Sequence, residues 1–123
     1  MYVKDNMTRN PYTVGLNQSV SEALDIMSAS KVERLPVVDQ KGKLLGLVTE
    51  SLIASNTPNN SSSLSVFELN YLLNKLQIKD IMIKEPITVG PDALLEEAAT
   101  LLDINDIGCL PVVDNDNTLI GII

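Results

Sequence analysis

Apolar residues recur at helical spacing in three stretches of this chain. Val20, Ala23, Leu24 and Met27 fall at i, i+3, i+4 and i+7, one face of a helix. Ser19 with Glu22 three residues on forms a capping box at its start, each side chain meeting the other's free backbone amide. Leu95, Ala98, Ala99 and Leu102 repeat the stripe, and Leu69, Leu72, Leu73 and Leu76 form another, opened by Ser65 and Glu68. Between the helices the pattern changes. Residues 35–38 form an unbroken apolar run that predicts a strand buried on both faces, with Pro36 near its start, where a missing amide is tolerated. Gln40-Lys41-Gly42-Lys43 predicts a turn and residues 44–48 the return strand of a hairpin. Thr49 is placed to cap a short helix toward Ser55. Tyr12-Thr13-Val14, stopped by Gly15, is a short β-prone run. Residues 56–63 are a polar, low-complexity linker.

The pattern occurs twice. Leu-Pro-Val-Val-Asp stands at 35–39 and again at 110–114, and residues 3–48 align with 78–123 without a gap, with 16 identities in 46 pairs. This is a tandem duplication, and it sets the domain reading. Repeat 1 occupies residues 1–55, a polar linker and connecting helix residues 56–77, and repeat 2 residues 78–123. A repeat of this size is at the edge of what one core can hold, so the halves are expected to share a core. The connecting helix has no counterpart in repeat 1 and is expected to cover the module or a partner subunit. Repeat 2 stops at Ile123, the counterpart of Val48, without its own last helix, so the sequence is expected to be a piece of a longer chain.

Composition narrows the function. Aromatic residues make up 3% of the chain against 45% apolar in all, so the core must be aliphatic. The net charge of −7 disfavours nucleic acid and anionic membrane surfaces as partners. Neither a signal peptide nor a spanning run is apparent, which makes a cytoplasmic location the simplest expectation. The Asn59-Asn60-Ser61 sequon carries no weight without a secretory signal. There is no histidine, no phosphate-binding glycine motif, and one cysteine, Cys109, without a histidine or close cationic partner in sequence. A non-enzyme is therefore expected. Asp39 and Asp114 end duplicated strands, so their recurrence reports common descent before it reports a catalytic pair.

Each repeat reads as β-α-β-β-α, an α/β (α+β) arrangement of two pseudo-symmetric units, each a small sheet backed by helices. The opening Lys-Asp-x-Met, then Pro11-Tyr12-Thr13-Val14, then Leu-Pro-Val-Val-Asp, a turn and Leu-Leu-Gly-Leu-Val-Thr, resembles the cystathionine-β-synthase (CBS) domain. Two in tandem resemble a Bateman module. The insert 63–73 running into Ile78-Lys79-Asp80-Ile81-Met82 is similar to the acetoin-utilisation-type subgroup, in many members of which a small regulatory domain follows. The resemblance implies a homodimer that senses an adenosine-containing ligand (AMP, ADP, ATP, S-adenosylmethionine or a cyclic dinucleotide) in clefts between the repeats, with no other cofactor. Backbone near the Thr-Val and near the phrase before proline would hold the base, and a Thr-x-x-Asp the ribose. Carried over by position, repeat 1 offers Thr13, Val14, Arg34, Leu35, Pro36 and Thr49, and repeat 2 offers Thr88, Val89, Cys109, Leu110 and Pro111. Position 52, where the ribose-binding Asp should fall, is Leu52, and in repeat 2 that stretch lies past Ile123.

Charge distinguishes the halves. Residues 3–48 carry six basic and five acidic side chains; residues 78–123 carry two and nine. A phosphate needs guanidinium or ammonium donors, so the repeat 1 side is the better anion site and Arg34 the foremost donor. Lys84 and Arg9 are the alternatives, and Arg34 as a solvated cation at a helix end is the plain one. Thr13 and Thr88 can equally be β-branched strand formers, and Cys109 a small buried apolar residue. The rival to a sensor is an interaction module in which the repeats make a dimerisation scaffold with vestigial sites, as Leu52 and the acidic second repeat would suit.

Overall fold

In the computed structural model, which describes residues 1–58 and 65–123, each repeat opens on one turn of helix. Repeat 1 runs from the 3-10 turn Val3–Asp5 through β1 (Thr8–Arg9), α1 (Val20–Ser30), β2 (Arg34–Val38) and β3 (Leu44–Thr49) to α2 (Glu50–Ser55). After the connecting helix α3 (Val66–Lys75) come α4 (Ile78–Ile81), β4 (Ile83–Lys84), α5 (Leu95–Asn105), β5 (Pro111–Val113) and β6 (Leu119–Ile122). Part of the linker expected over 56–63, and the Asn59 sequon, lie outside the described residues.

Local signals hold. Ser19 Oγ accepts the Glu22 amide at 3.1 Å and caps α1; Ser65 Oγ accepts the Glu68 amide at 3.2 Å and caps α3; Thr49 Oγ1 accepts the Leu52 amide at 3.1 Å and caps α2. The aspartates that end the duplicated phrase build turns. Asp39 Oδ1 accepts the Lys41 and Lys43 amides at 2.8 and 2.9 Å, and Asp114 Oδ1 accepts those of Asp116 and Thr118 at 2.9 Å. Each hairpin, β2–β3 and β5–β6, carries a register shift at the same place, Val37/Val38 and Val112/Val113. Left-handed residues also recur 75 apart: Asn10 and Glu85, Lys31 and Asp106, Gly42 and Asn117.

Three expectations need correction. The run at Tyr12-Thr13-Val14 makes no strand; only Val14 bridges, in parallel with Val37, as Val89 does with Val112. Pro36 lies inside β2, paired with Leu47; its carbonyl accepts the Val14 amide at 3.1 Å, on the side where β2 meets a single bridging residue and not a full strand. Ala99 is exposed; α5 buries Ala98 and packs Leu102 on the core as expected, and Leu101 joins them in place of Ala99.

The shared core is the fourth correction. Two clusters form, and the leading segments are exchanged. β4 of repeat 2 pairs with β3 of repeat 1, and β1 of repeat 1 pairs with β6 of repeat 2, giving sheets ordered β2-β3-β4 and β1-β6-β5. Val3 and Met7 join the repeat 2 cluster of Val89, Ala98, Leu110 and Val112. Ile78, Ile81 and Met82 join the repeat 1 cluster of Val14, Val20, Ala23, Met27, Leu35, Val37, Val48 and Ile53. Backbone bonds seal each exchange: Ile78 N donates to Gln18 O at 2.9 Å and Lys79 N to Leu16 O at 3.0 Å, mirrored by Val3 N to Ala93 O at 2.9 Å and Lys4 N to Pro91 O at 3.0 Å.

Gly46 and Gly121 let the exchanged strands approach. A Cβ on Gly46 would sit 2.6 Å from Ile83 O, and one on Gly121 2.9 Å from Thr8 O. The two turns also meet: Leu44 N donates to Asn117 O, and Leu119 N to Gly42 O, both at 3.0 Å. The connecting helix α3 packs on α1, and Leu73 within it and Leu76 just past its end extend the repeat 1 cluster.

Exchange makes Ile78 a core residue of the other repeat, with no exposed surface, while Ile104 on α5 is 74% exposed. Ile78→Ala is expected to lower the unfolding free energy by about 2–5 kcal/mol, and Ile104→Ala by no more than about 0.5 kcal/mol. Urea denaturation measures both, and equal small losses would contradict the exchange.

Candidate functional site

The seam between the repeats opens into two clefts that the pseudo-symmetry relates. The first, of about 230 Å³, has apolar walls from Leu47 of β3, Ile83, Pro86 and Ile87 of the segment that begins with β4, and Ile107. Arg34, Thr49, Glu85 and Cys109 supply its polar groups, so residues from both repeats meet there. The second, wider cleft of about 550 Å³ is bounded by Asn6, Thr8, Lys31, Glu33 and Ile122. It shares Arg34, Gly108 and Cys109 with the first. Thr8 takes the position that Ile83 holds in the first cleft, and Val32 that of Ile107, which makes the two clefts alike in backbone and unlike in chemistry.

Local structure explains how the polar groups arrive. Arg34 is the first residue of β2, paired with Thr49 at the end of β3, so both lie at the end of the repeat 1 hairpin opposite its turn. Cys109 precedes β5 in the same way. Gly108 has no side chain, and the Arg34 guanidinium occupies the space a Cβ there would need, since Nη2 would collide with it. The thiol of Cys109 is buried, which pushes its pKa up, while the positive charge of Arg34 pulls the other way and only in part offsets it. A protonated buried thiol is a weak nucleophile. Glu85 adopts a left-handed backbone, φ 50°, that a non-glycine residue holds at a cost of roughly 1–2 kcal/mol.

The residues proposed from sequence do not all converge. Arg34, Thr49 and Cys109 share the first cleft. Val14, Leu35, Pro36, Val89, Leu110 and Pro111 are buried, their side chains within the two halves. Part of their backbone is also engaged: Val14 N with Pro36 O and Val89 N with Pro111 O, each at 3.1 Å, and Leu110 with Ile123 in both directions at 2.7 and 2.9 Å. Thr13 and Thr88 are half-buried and line neither cleft. Lys84 is exposed on β4 opposite Gly46 and lines neither cleft, and Arg9 donates to Lys4 O at 3.3 Å. Leu52 is half-buried in the first turn of α2, its amide held by Thr49.

Ile83, Glu85, Pro86 and Ile87 were missed by sequence reasoning. The exchange carries them to the hairpin of the other repeat, and Pro11/Pro86 among the internal identities was the one signal that marked this segment. Among the described residues no group of three or more His, Cys, Asp or Glu side chains is placed to hold a metal ion. No helix there is long and apolar enough to cross a membrane.

The CBS domain family model matches residues 3–56 and 78–123. Among solved structures, CBSX2 of Arabidopsis thaliana in complex with AMP is 35% identical, with a TM-score of 0.81 over 99% of this chain and 88% of that one. The CBS domain pair of protein MJ0100, in complex with 5′-methylthioadenosine and S-adenosyl-L-methionine, is 30% identical, with a TM-score of 0.81 over 100% and 88%. An acetoin utilisation protein (AcuB) from Vibrio cholerae is 34% identical, with a TM-score of 0.81 over 100% and 83%. The chain spans 22% of the length of the homoserine O-acetyltransferases it matches. Two matched repeats, joined by exchanged leading segments around a common seam, make this chain a member of the CBS domain family, as a tandem CBS pair.

Proposed function

We propose that this CBS pair is a regulatory module that binds an adenosine nucleotide at the seam, its ring between the apolar walls of the first cleft and its phosphate on Arg34. The observation that carries the reading is the arrival of Arg34, Thr49 and Cys109, from both repeats, at one apolar-walled cleft. Leu47, Ile83, Pro86, Ile87 and Ile107 suit a flat heteroaromatic ring. The cleft is smaller than the roughly 300–1,000 Å³ of drug-sized sites, so a base fits within it and the phosphate extends toward the open edge. Arg34 forms no ion pair or side-chain hydrogen bond among the described residues, and is free for an anion. The AMP complex of CBSX2 and the adenosyl ligands of MJ0100 support the class of ligand.

Leu52 tempers the affinity. An aspartate at this position would accept from a ribose diol, and a leucine accepts nothing, so recognition rests on the ring and the phosphate. The role is binding and not turnover: the sequence contains no histidine, and burial raises the pKa of the one thiol, away from a reactive thiolate.

The competing reading, an interaction module with vestigial clefts, has one specific observation behind it. The outer face of α3 exposes Val66, Phe67 (86%) and Tyr71. Thermal unfolding against a panel of adenosine compounds separates the two, since a ligand at 100 times its Kd stabilises by about 2.7 kcal/mol. A midpoint that no adenosine compound moves would favour the interaction module.

Two outcomes follow from the binding mode. Arg34→Ala should weaken AMP by about tenfold to a hundredfold and leave adenosine nearly unchanged, as read by calorimetric titration. Equal losses for both ligands would make Arg34 a structural residue. Incubation of the purified chain with ATP or AMP should release no phosphate above the buffer rate, and hydrolysis abolished by Arg34→Ala would refute a purely regulatory role.

A further inference from the structure

The duplication provides two clefts, but a guanidinium stands on their walls only once. Arg34 lies on the wall of both clefts, and so does Cys109, which holds the corresponding place in repeat 2. Had both positions kept an arginine, each cleft could have had its own guanidinium. Gly108 reinforces the sharing. Its counterpart in repeat 1 is Glu33, and the missing side chain leaves the room across which Arg34 reaches toward the seam.

The remaining charges do not replace it. Glu85 is the other charged residue of the first cleft, and Lys31, the second cleft's ammonium, stands two residues from Glu33, a carboxylate on the same wall. We propose that Arg34 is one anion anchor shared by two clefts, so that the chain holds one phosphorylated ligand tightly at a time. A second phosphate would meet a guanidinium already neutralised, beside a like charge and a carboxylate. An uncharged nucleoside makes no use of Arg34 and escapes this exclusion. The module would then respond to the phosphorylated ligand as a single-site sensor despite its two-fold architecture.

This inference rests on the adenosine-nucleotide reading, and the test separates the two. Native mass spectrometry and calorimetry of the chain with AMP, and in parallel with adenosine, give the first and second stepwise constants for each ligand. The expected result is a gap between first and second AMP at least about tenfold wider than the gap for adenosine. Cys109→Arg, which gives repeat 2 its own guanidinium, should narrow the AMP gap and leave that for adenosine in place. Should that variant fail to fold, Arg34→Gln provides the complementary measurement: the AMP gap should fall to the adenosine value. Two AMP molecules bound with equal affinity by the unaltered chain, or an AMP gap unmoved by Arg34→Gln, would overturn the shared anchor while leaving the nucleotide reading standing. Binding of neither ligand would overturn both.

Discussion

Everything in this structure depends on the exchange of leading segments between the repeats. A unit of some 46 residues, one helix and one hairpin, leaves one edge of its sheet and one side of its core open. Here the other repeat closes both. Ile78 and Ile81 fill the first half and Val3 fills the second, while β4 and β1 complete the two sheets. The backbone bonds at the helix starts repeat nearly residue for residue on the two sides, so the exchange is a property of the repeat and not of one half. Each half takes part of its core and one strand of its sheet from the leading segment of the other.

The same exchange creates the clefts. A leading segment that crosses to pair with the opposite hairpin brings residues far apart in sequence to one cleft wall. Leu47 and Thr49 from one repeat face Ile83 and Pro86 from the other because β3 and β4 are neighbours. The sheet needs glycine at 46 and 121 for that approach, so the crossing is built at the expense of side-chain packing at those two points.

The two repeats agree in backbone geometry where they differ in cleft chemistry. Positions that set backbone geometry recur in both halves: the turn aspartates, the strand register shifts, and the left-handed residues, where Gly42 and Asn117 hold the same turn. Positions that face the clefts differ: Arg34 against Cys109, Glu33 against Gly108, Thr8 against Ile83. A turn held by its own aspartate, or a buried strand, has few acceptable substitutions, whereas a cleft residue can change with little loss of packing. The connecting helix adds a further asymmetry, covering α1 with Leu73 and Leu76 while α5 leaves Ala99 and Ile104 in solvent.

The sequence by itself determined what depends on a few neighbouring residues. Capping boxes at Ser19 and Ser65, the cap at Thr49, the hairpins and the internal repeat all follow from short-range hydrogen bonding and periodicity, and they are where the pattern placed them. Part of the cleft was legible as well, since the duplication and the charge difference singled out Arg34 and Cys109. The rest needed tertiary structure. Strands β1 and β4 are two residues long and exposed, too short for any alternation to register, and their pairing is set by a partner from the other repeat. The division into two cores, the walls contributed by Ile83, Pro86 and Ile87, and the single guanidinium lying across Gly108 between two clefts all depend on contacts between residues distant in the chain. No local pattern encodes these, because they are decided by which half of the molecule each leading segment completes.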